Sequence, residues 1–189
     1  MIKTQSFQQL PADVQKLFEE PITLEMLYNP DQFALRTLGN RASIYEVISC
    51  EDLIVKWYNP KGRRDFDIPA LLDLQDIDQI PKLYCYQEDT YLVMQKAKGK
   101  SVDQLLKENA LKESDLTDLR KQYEDVVLAV IQKGYYDWDF KLEHIFWDSI
   151  DRRIMLIDFG AYSKDHYHET FVTKRLEDFD EQLRFYPVR

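Results

Sequence analysis

The hydrophobic period of this 189-residue chain shifts from mainly strand-like before Lys96 to mainly helical after it, and that shift narrows the architectures open to it. Between Phe33 and Gln95 the apolar residues fall in short β-rich runs: Phe33 to Leu38, Ser43 to Ile48, Leu53 to Trp57, Lys82 to Tyr86 and Tyr91 to Gln95. Gly39-Asn40 and Cys50-Glu-Asp52 separate the first three, which read as an antiparallel meander. One helix interrupts the series, over Ile68 to Ile77, with Ile68, Leu71, Leu72 and Leu74 on one face and Pro69 tolerable only in its first turn. From Val102 onward the spacing is helical, over Val102 to Leu111 and then Ser114 to Lys133, where Leu116, Leu119, Tyr123, Val126, Val127 and Val130 recur. Ser114 is the expected N-cap and Gly134 the expected stop. A strand pair around Ile145 to Trp147 and Ile154 to Ile157 follows, then a polar tail with an amphipathic helix near Arg175 to Phe185. Strands first and helices after them predict an α+β protein.

Composition removes several function classes. A hydrophobic content of 44%, with 13% aromatic residues, can bury enough apolar surface to offset the entropy of ordering, so the chain folds rather than staying disordered. A formal charge of −9 opposes extended contact with a phosphate backbone, and nucleic acid is not an expected partner. The basic Lys61-Gly-Arg-Arg64 stretch reads as a solvated turn. Cys50 and Cys85 lie in apolar surroundings without metal-ligand spacing and read as buried thiols. No stretch approaches the ~18 apolar residues of a membrane span, and the N-terminal residues lack a secretion-signal core. A cytoplasmic protein is expected, with export by a route that needs no such signal left open. Residues 1–32, broken by Pro11, Pro21 and Pro30, read as a helical extension. Residues 33–95 form the sheet-bearing region and 96–189 the helical one, with the exposed crossing Lys96 to Lys100 as their boundary.

Two short motifs carry chemistry. Asp137-Trp-Asp-Phe-Lys-Leu-Glu-His144 resembles the catalytic loop of protein kinases, and Leu156-Ile-Asp-Phe-Gly160 matches their DFG signature. Upstream stand a Lys-bearing strand, Leu53-Ile-Val-Lys-Trp57, and a hinge-like Val93-Met-Gln-Lys-Ala-Lys-Gly99. In that order these pieces resemble the protein-kinase-like superfamily from about Gly39 to Gly160, as a minimal atypical Ser/Thr kinase of bacterial, phage or effector type. The resemblance implies a two-lobed fold with a small antiparallel-sheet N-lobe and a shortened helical C-lobe, since only 29 residues follow Gly160.

Carried onto this chain, the resemblance assigns roles to particular residues. Lys56 would pair with the α- and β-phosphates of ATP, Asp139 would orient or accept the proton of an acceptor hydroxyl, and Lys141 would steady the transferring phosphate. Asp158 would hold Mg²⁺ or Mn²⁺. Met94 would back the adenine, and the backbones of Gln95 and Ala97 would bond its edge. Four departures accompany the match. His144 stands where the family has a metal-binding Asn, as in the bacterial lipopolysaccharide-core kinases; it either binds metal, favouring Mn²⁺, or hydrogen-bonds within its loop. The phosphate-covering loop keeps one glycine, Gly39, with Ser43 and its neighbouring amides as substitutes. The partner of Lys56 is an Asp where the family has Glu: Asp67 first, unless it only caps the helix, with Asp73 as the fallback. On the tail helix, Asp178 or Asp180 either anchors the catalytic loop or forms a solvated face.

The expected partners are therefore ATP and a hydroxyl-bearing acceptor, taken first as protein Ser or Thr. Sugar, lipopolysaccharide or other small-molecule acceptors are the enzymatic alternative. A nucleotide-binding pseudokinase or scaffold is the alternative without chemistry.

Overall fold

Alternation of apolar and polar residues puts every second side chain of a strand on one face, so the five runs between Phe33 and Gln95 must pair and cover that face. In the computed structural model, which describes residues 1–60, 67–164 and 170–184, they do. The strands are β1 (Ile2–Lys3), β2 (Phe33–Leu38), β3 (Ala42–Val47), β4 (Cys50–Tyr58), β5 (Leu83–Gln87) and β6 (Tyr91–Gln95). They form one antiparallel sheet in the order β1-β5-β6-β4-β3-β2. The basic Lys61–Arg64 turn lies outside the described residues.

What covers the sheet is the N-terminal segment. Two short helices, α1 (Ala12–Leu17) and α2 (Leu24–Leu27), and the turns around them bury Phe7, Leu10, Val14, Phe18, Ile22 and Leu27 in one cluster with Tyr45, Val47, Leu53, Val55, Cys85, Tyr91 and Val93. The Ile22 N–H donates to the Tyr91 hydroxyl at 3.1 Å. Residues 1–32, expected as a separate extension, thus share the core of the sheet. Burial pushes the Cys85 thiol up to about 12, whereas Cys50 is only half-buried.

Packing divides the chain into two compact units, Met1–Ile68 with Pro81–Lys96, and Pro69–Ile80 with Ala97–Arg189. The short helix α3 (Asp67–Asp73) starts in the first and counts with the second from Pro69 on, so 69–80, expected with the sheet, packs with the helical unit. Its links there are specific: the Tyr135 hydroxyl reaches Pro69 O at 3.1 Å and Asp73 Oδ2 at 2.9 Å, and the Leu156 N–H donates to Gln79 O at 2.9 Å.

The second unit is built on α5 (Glu113–Gln132), which buries Leu119, Tyr123, Val126, Val127 and Val130 along one face. Its N-cap is Lys112 rather than Ser114, because Asp115 one turn in accepts the Lys112 N–H at 3.0 Å. Gly134 ends the helix at φ +81, a left-handed value that suits glycine. The preceding α4 (Val102–Lys107) is shorter than expected, closed by Asn109 at φ 51. Three small strands, β7 (Lys100–Ser101), β9 (Ile145–Asp148) and β10 (Arg153–Leu156), form a sheet in the order β10-β9-β7, while β8 (Tyr136–Asp137) pairs with β11 (Tyr162–Ser163). The last helix, α6 (Phe171–Arg184), buries Phe171 and Phe179, the latter stacked on Tyr123 at 4.7 Å between ring centroids. Gly99 enters this unit at φ +78, where a Cβ would lie 2.0 Å from Trp147 O, so no larger residue fits.

Candidate active site

In the first unit, β4 carries Lys56 into a buried ion pair. Lys56 Nζ lies 2.8 Å from Asp67 Oδ2, and the Tyr58 hydroxyl donates to the same oxygen at 3.0 Å. Lys56 is 8% exposed and Asp67 2%. Of the two candidate aspartates, the structure brings Asp67 to the lysine. Asp73 instead accepts from Tyr135 and Lys164, and these two hydrogen bonds hold its carboxyl below the usual value. Asp67 opens α3, where the helix dipole favours a carboxylate, and its side chain reaches Lys56 at 2.8 Å although it is one methylene shorter than Glu.

In the second unit, strand ends and tight turns gather the remaining carboxylates. β8 delivers Asp137, and its Oδ1 accepts the Asp139 N–H at 2.9 Å, an Asx turn that curls the loop back on itself. The Asp139 carboxylate is half-exposed and pairs with Lys141 Nζ at 2.6 Å. One turn on, His144 Nε2 lies 3.5 Å from Asp158 Oδ2. The two loops are tied together by the Ile157 N–H, which donates to His144 O at 2.9 Å. Asp158 has φ 61 and ψ 73, a left-handed conformation that an L-residue holds at a cost of about 1 to 3 kcal/mol. Phe159 beyond it is fully buried and packs on Tyr162 at 4.7 Å.

Other expected contributors sit less openly. Ser43 is 4% exposed within β3, its neighbours paired into the sheet ladder, so the expected phosphate loop shrinks to the turn Gly39–Arg41. That turn is tight: the Gly39 N–H donates to Ala42 O, and a Cβ on Gly39 would meet that oxygen at 2.7 Å. Met94 is buried in β6. The Gln95 N–H already donates to Lys82 O at 2.8 Å, so this amide is taken up within the unit. Ala97 follows in the crossing strand of chain. On α6, Asp180 binds Arg120 of α5 at 2.7 Å and Asp178 binds Arg175 at 2.9 Å, so it is neither carboxylate but Arg175 that reaches the catalytic loop.

Three residues near these groups, Tyr58 in the first unit and Asp137 and Arg175 in the second, were not singled out from sequence. Tyr58 shares a strand face with Lys56, two residues away, a signal that strand periodicity contains. Asp137 was visible only as the first residue of a motif. Burial pushes its carboxyl upward, while the Asp139 N–H, Arg175 and His144 pull it back. Arg175 left no local signal.

No family model and no curated protein matches the chain. Solved structures do. The Cydia pomonella granulovirus kinase PK-1 superposes with a TM-score of 0.57 at 14% identity, over 70% of this chain and 55% of that one. The bifunctional kinase-methyltransferase WbdD superposes with a TM-score of 0.55 at 18% identity, over 76% of this chain and 34% of that one. The chain therefore spans about half the length of the first and about a third of the second. With the antiparallel sheet and the helical unit described above, the fold is α+β and protein-kinase-like.

Proposed function

We propose that this protein is an ATP-dependent phosphotransferase, moving the γ-phosphoryl group to a hydroxyl, with protein Ser or Thr as the first acceptor class. The observation that supports this best is the pairing of each expected group with a fitting partner: Lys56 with Asp67, Asp139 with Lys141, and His144 with Asp158. A buried ion pair rarely raises stability over an apolar one, so its presence calls for a functional reason. Holding a cation in one rotamer to receive phosphate is such a reason.

In this reading, Lys56 binds the α- and β-phosphates, oriented by Asp67 and Tyr58. Asp139 aligns the acceptor hydroxyl and takes its proton as the bond between phosphorus and the acceptor oxygen forms and the bond to the β-phosphate oxygen breaks, releasing ADP. Lys141 offsets charge on the transferring group. The side-by-side carboxylate and imidazole of Asp158 and His144 fit a divalent cation that takes its remaining ligands from phosphate and water. When bound, such a cation neutralises charge on the β- and γ-phosphates.

His144 also favours a second reading, a sugar or lipopolysaccharide acceptor, because the kinases of lipopolysaccharide core that this loop resembles carry His there. One experiment separates the readings: transfer from γ-labelled ATP, with Mg²⁺ or Mn²⁺, to the protein itself, a generic protein and a panel of sugars. Wild type is compared with Asp139→Ala and Asp158→Ala. Incorporation lost in both variants supports the phosphotransferase, and the labelled acceptor names its class. Metal-dependent ATP binding without transfer to any acceptor would support a nucleotide-binding module, and no ATP binding would overturn the proposal.

A further inference from the structure

Arg175, in the second turn of α6, sits where an apolar residue would pack with less loss of hydration. Its guanidinium lies 5.1 Å from the Phe171 ring centroid and 5.8 Å from that of Phe140, the residue directly after Asp139. One end is tied, Nη2 to Asp178 Oδ2 at 2.9 Å, and the side chain is only 11% exposed. The Nε is buried and has no hydrogen-bond partner. Beside it runs a small cavity lined also by Asp137, Tyr123, Tyr162, Leu156 and Val127.

Taking a guanidinium out of water without full pairing is unfavourable, and aromatic faces return only part of the loss. What the charge does that a methionine could not is act on Asp137. That carboxylate is itself half-buried, and its Oδ1 accepts the Asp139 N–H. Arg175 opposes the upward push that burial exerts on the Asp137 carboxyl. An ionised acceptor makes the shorter and stronger hydrogen bond, so a cation near Asp137 strengthens the bond that shapes the loop.

We propose that Arg175 is a positioning residue for the catalytic loop: held between Phe140 and Phe171, its guanidinium acts on Asp137, and Asp137 fixes the backbone from which the Asp139 carboxylate projects. The inference deepens the phosphotransferase reading and rests on it for the role of Asp139. The geometry also assigns Asp178 the part of fixing the guanidinium from the outer side.

The test uses the full chain and two readouts. Hydrogen exchange is followed for the amides of 137–141 in wild type, Arg175→Met, Arg175→Lys, Asp137→Asn and the Arg175→Met/Asp137→Asn double variant. Phosphoryl transfer is measured on the same proteins. In Arg175→Met the loop amides should exchange about tenfold faster or more, while those of β9 and β10 keep their wild-type rates. The kcat should fall by about a hundredfold, as expected for a displaced catalytic group, with KM for ATP within about twofold. Arg175→Lys should recover part of both effects, and the double variant should be no worse than the more affected single one, since the two residues act in series. Unchanged loop exchange in Arg175→Met overturns the proposal. So does a uniform rise across α5, α6, β9 and β10, which marks packing alone, or strict additivity in the double variant. If wild type transfers no phosphate, the phosphotransferase reading fails while the exchange arm still decides the role of Arg175.

Discussion

Asp67 Oδ2 takes both Lys56 Nζ and the Tyr58 hydroxyl, so one buried oxygen carries two donors in the first unit. Removing the lysine leaves an uncompensated buried carboxylate: Lys56→Met is expected to lower stability by about 3 kcal/mol, measured by urea denaturation. Tyr58→Phe removes one hydrogen bond to a charged group and should cost about 2 kcal/mol, with non-additivity in the double variant that reports the shared oxygen. Asp158 offers a different separation of stability from function. Its left-handed backbone suits Asn as well as Asp, so Asp158→Asn should melt within about 2 °C of wild type while losing metal-dependent transfer. Sequence reasoning singled out Lys56, Asp139, Lys141 and Asp158 because each falls in a stretch that resembles a kinase motif. It put Asp67 first as the partner of Lys56 and kept Asp73 as the fallback, since the helix there offers only aspartates. Burial and the two other donors on Asp73 decide between them.

Short elements hold together through contacts distant in sequence, and two of them, β1 and α3, make measurable predictions. β1 has only two residues, yet it covers the edge of β5, and the segment after it places Phe7 and Leu10 in the core. Deleting residues 1–10 should therefore lower the melting temperature and raise light scattering on heating, because an unpaired edge beside exposed apolar surface recruits other chains. α3 and the loop after α5 are joined by the Tyr135–Asp73–Lys164 group, whose pH dependence has two limbs. The Asp73 carboxyl is depressed, so its contribution is present above its unfolded value near 3.8 and is lost as pH falls through the folded one. Burial, chiefly, raises the Tyr135 hydroxyl, so its contribution is present below its unfolded value near 10.0 and is lost as pH rises beyond it. In Asp73→Asn the carboxylate's share of the acid limb should disappear, and Tyr135→Phe should remove the tyrosine share of the alkaline limb, both read as denaturation midpoint against pH. α5 takes Lys112 rather than Ser114 as its N-cap for a local reason that was legible in principle: Asp115 stands three residues after Lys112 and accepts its N–H.

Across the whole molecule, acidity and metal preference are the properties that bear on partners. With a charge of −9 the protein should not be retained on polynucleotide at physiological salt, where binding depends on clustered cations. If His144 contributes an imidazole to the cation, Mn²⁺ should support transfer at least as well as Mg²⁺, and His144→Asn should shift the preference toward Mg²⁺; assays over both metals check this. The order of strands and helices was readable because periodicity, turn residues and caps act over a few neighbours, and the strands from Phe33 to Leu38 and Tyr91 to Gln95 lie where that reasoning placed them. What it could not weigh was desolvation, which depends on everything that packs around a group. Only the tertiary structure decided that residues 1–32 complete the sheet's core, that Ser43 lies buried in a ladder, and that 69–80 pack with the helical unit. It paired Lys56 with Asp67, the aspartate put first from sequence, and it alone set Arg175 beside Asp137, 38 residues away in sequence, because partner choice among like charges is settled by where the chain excludes water.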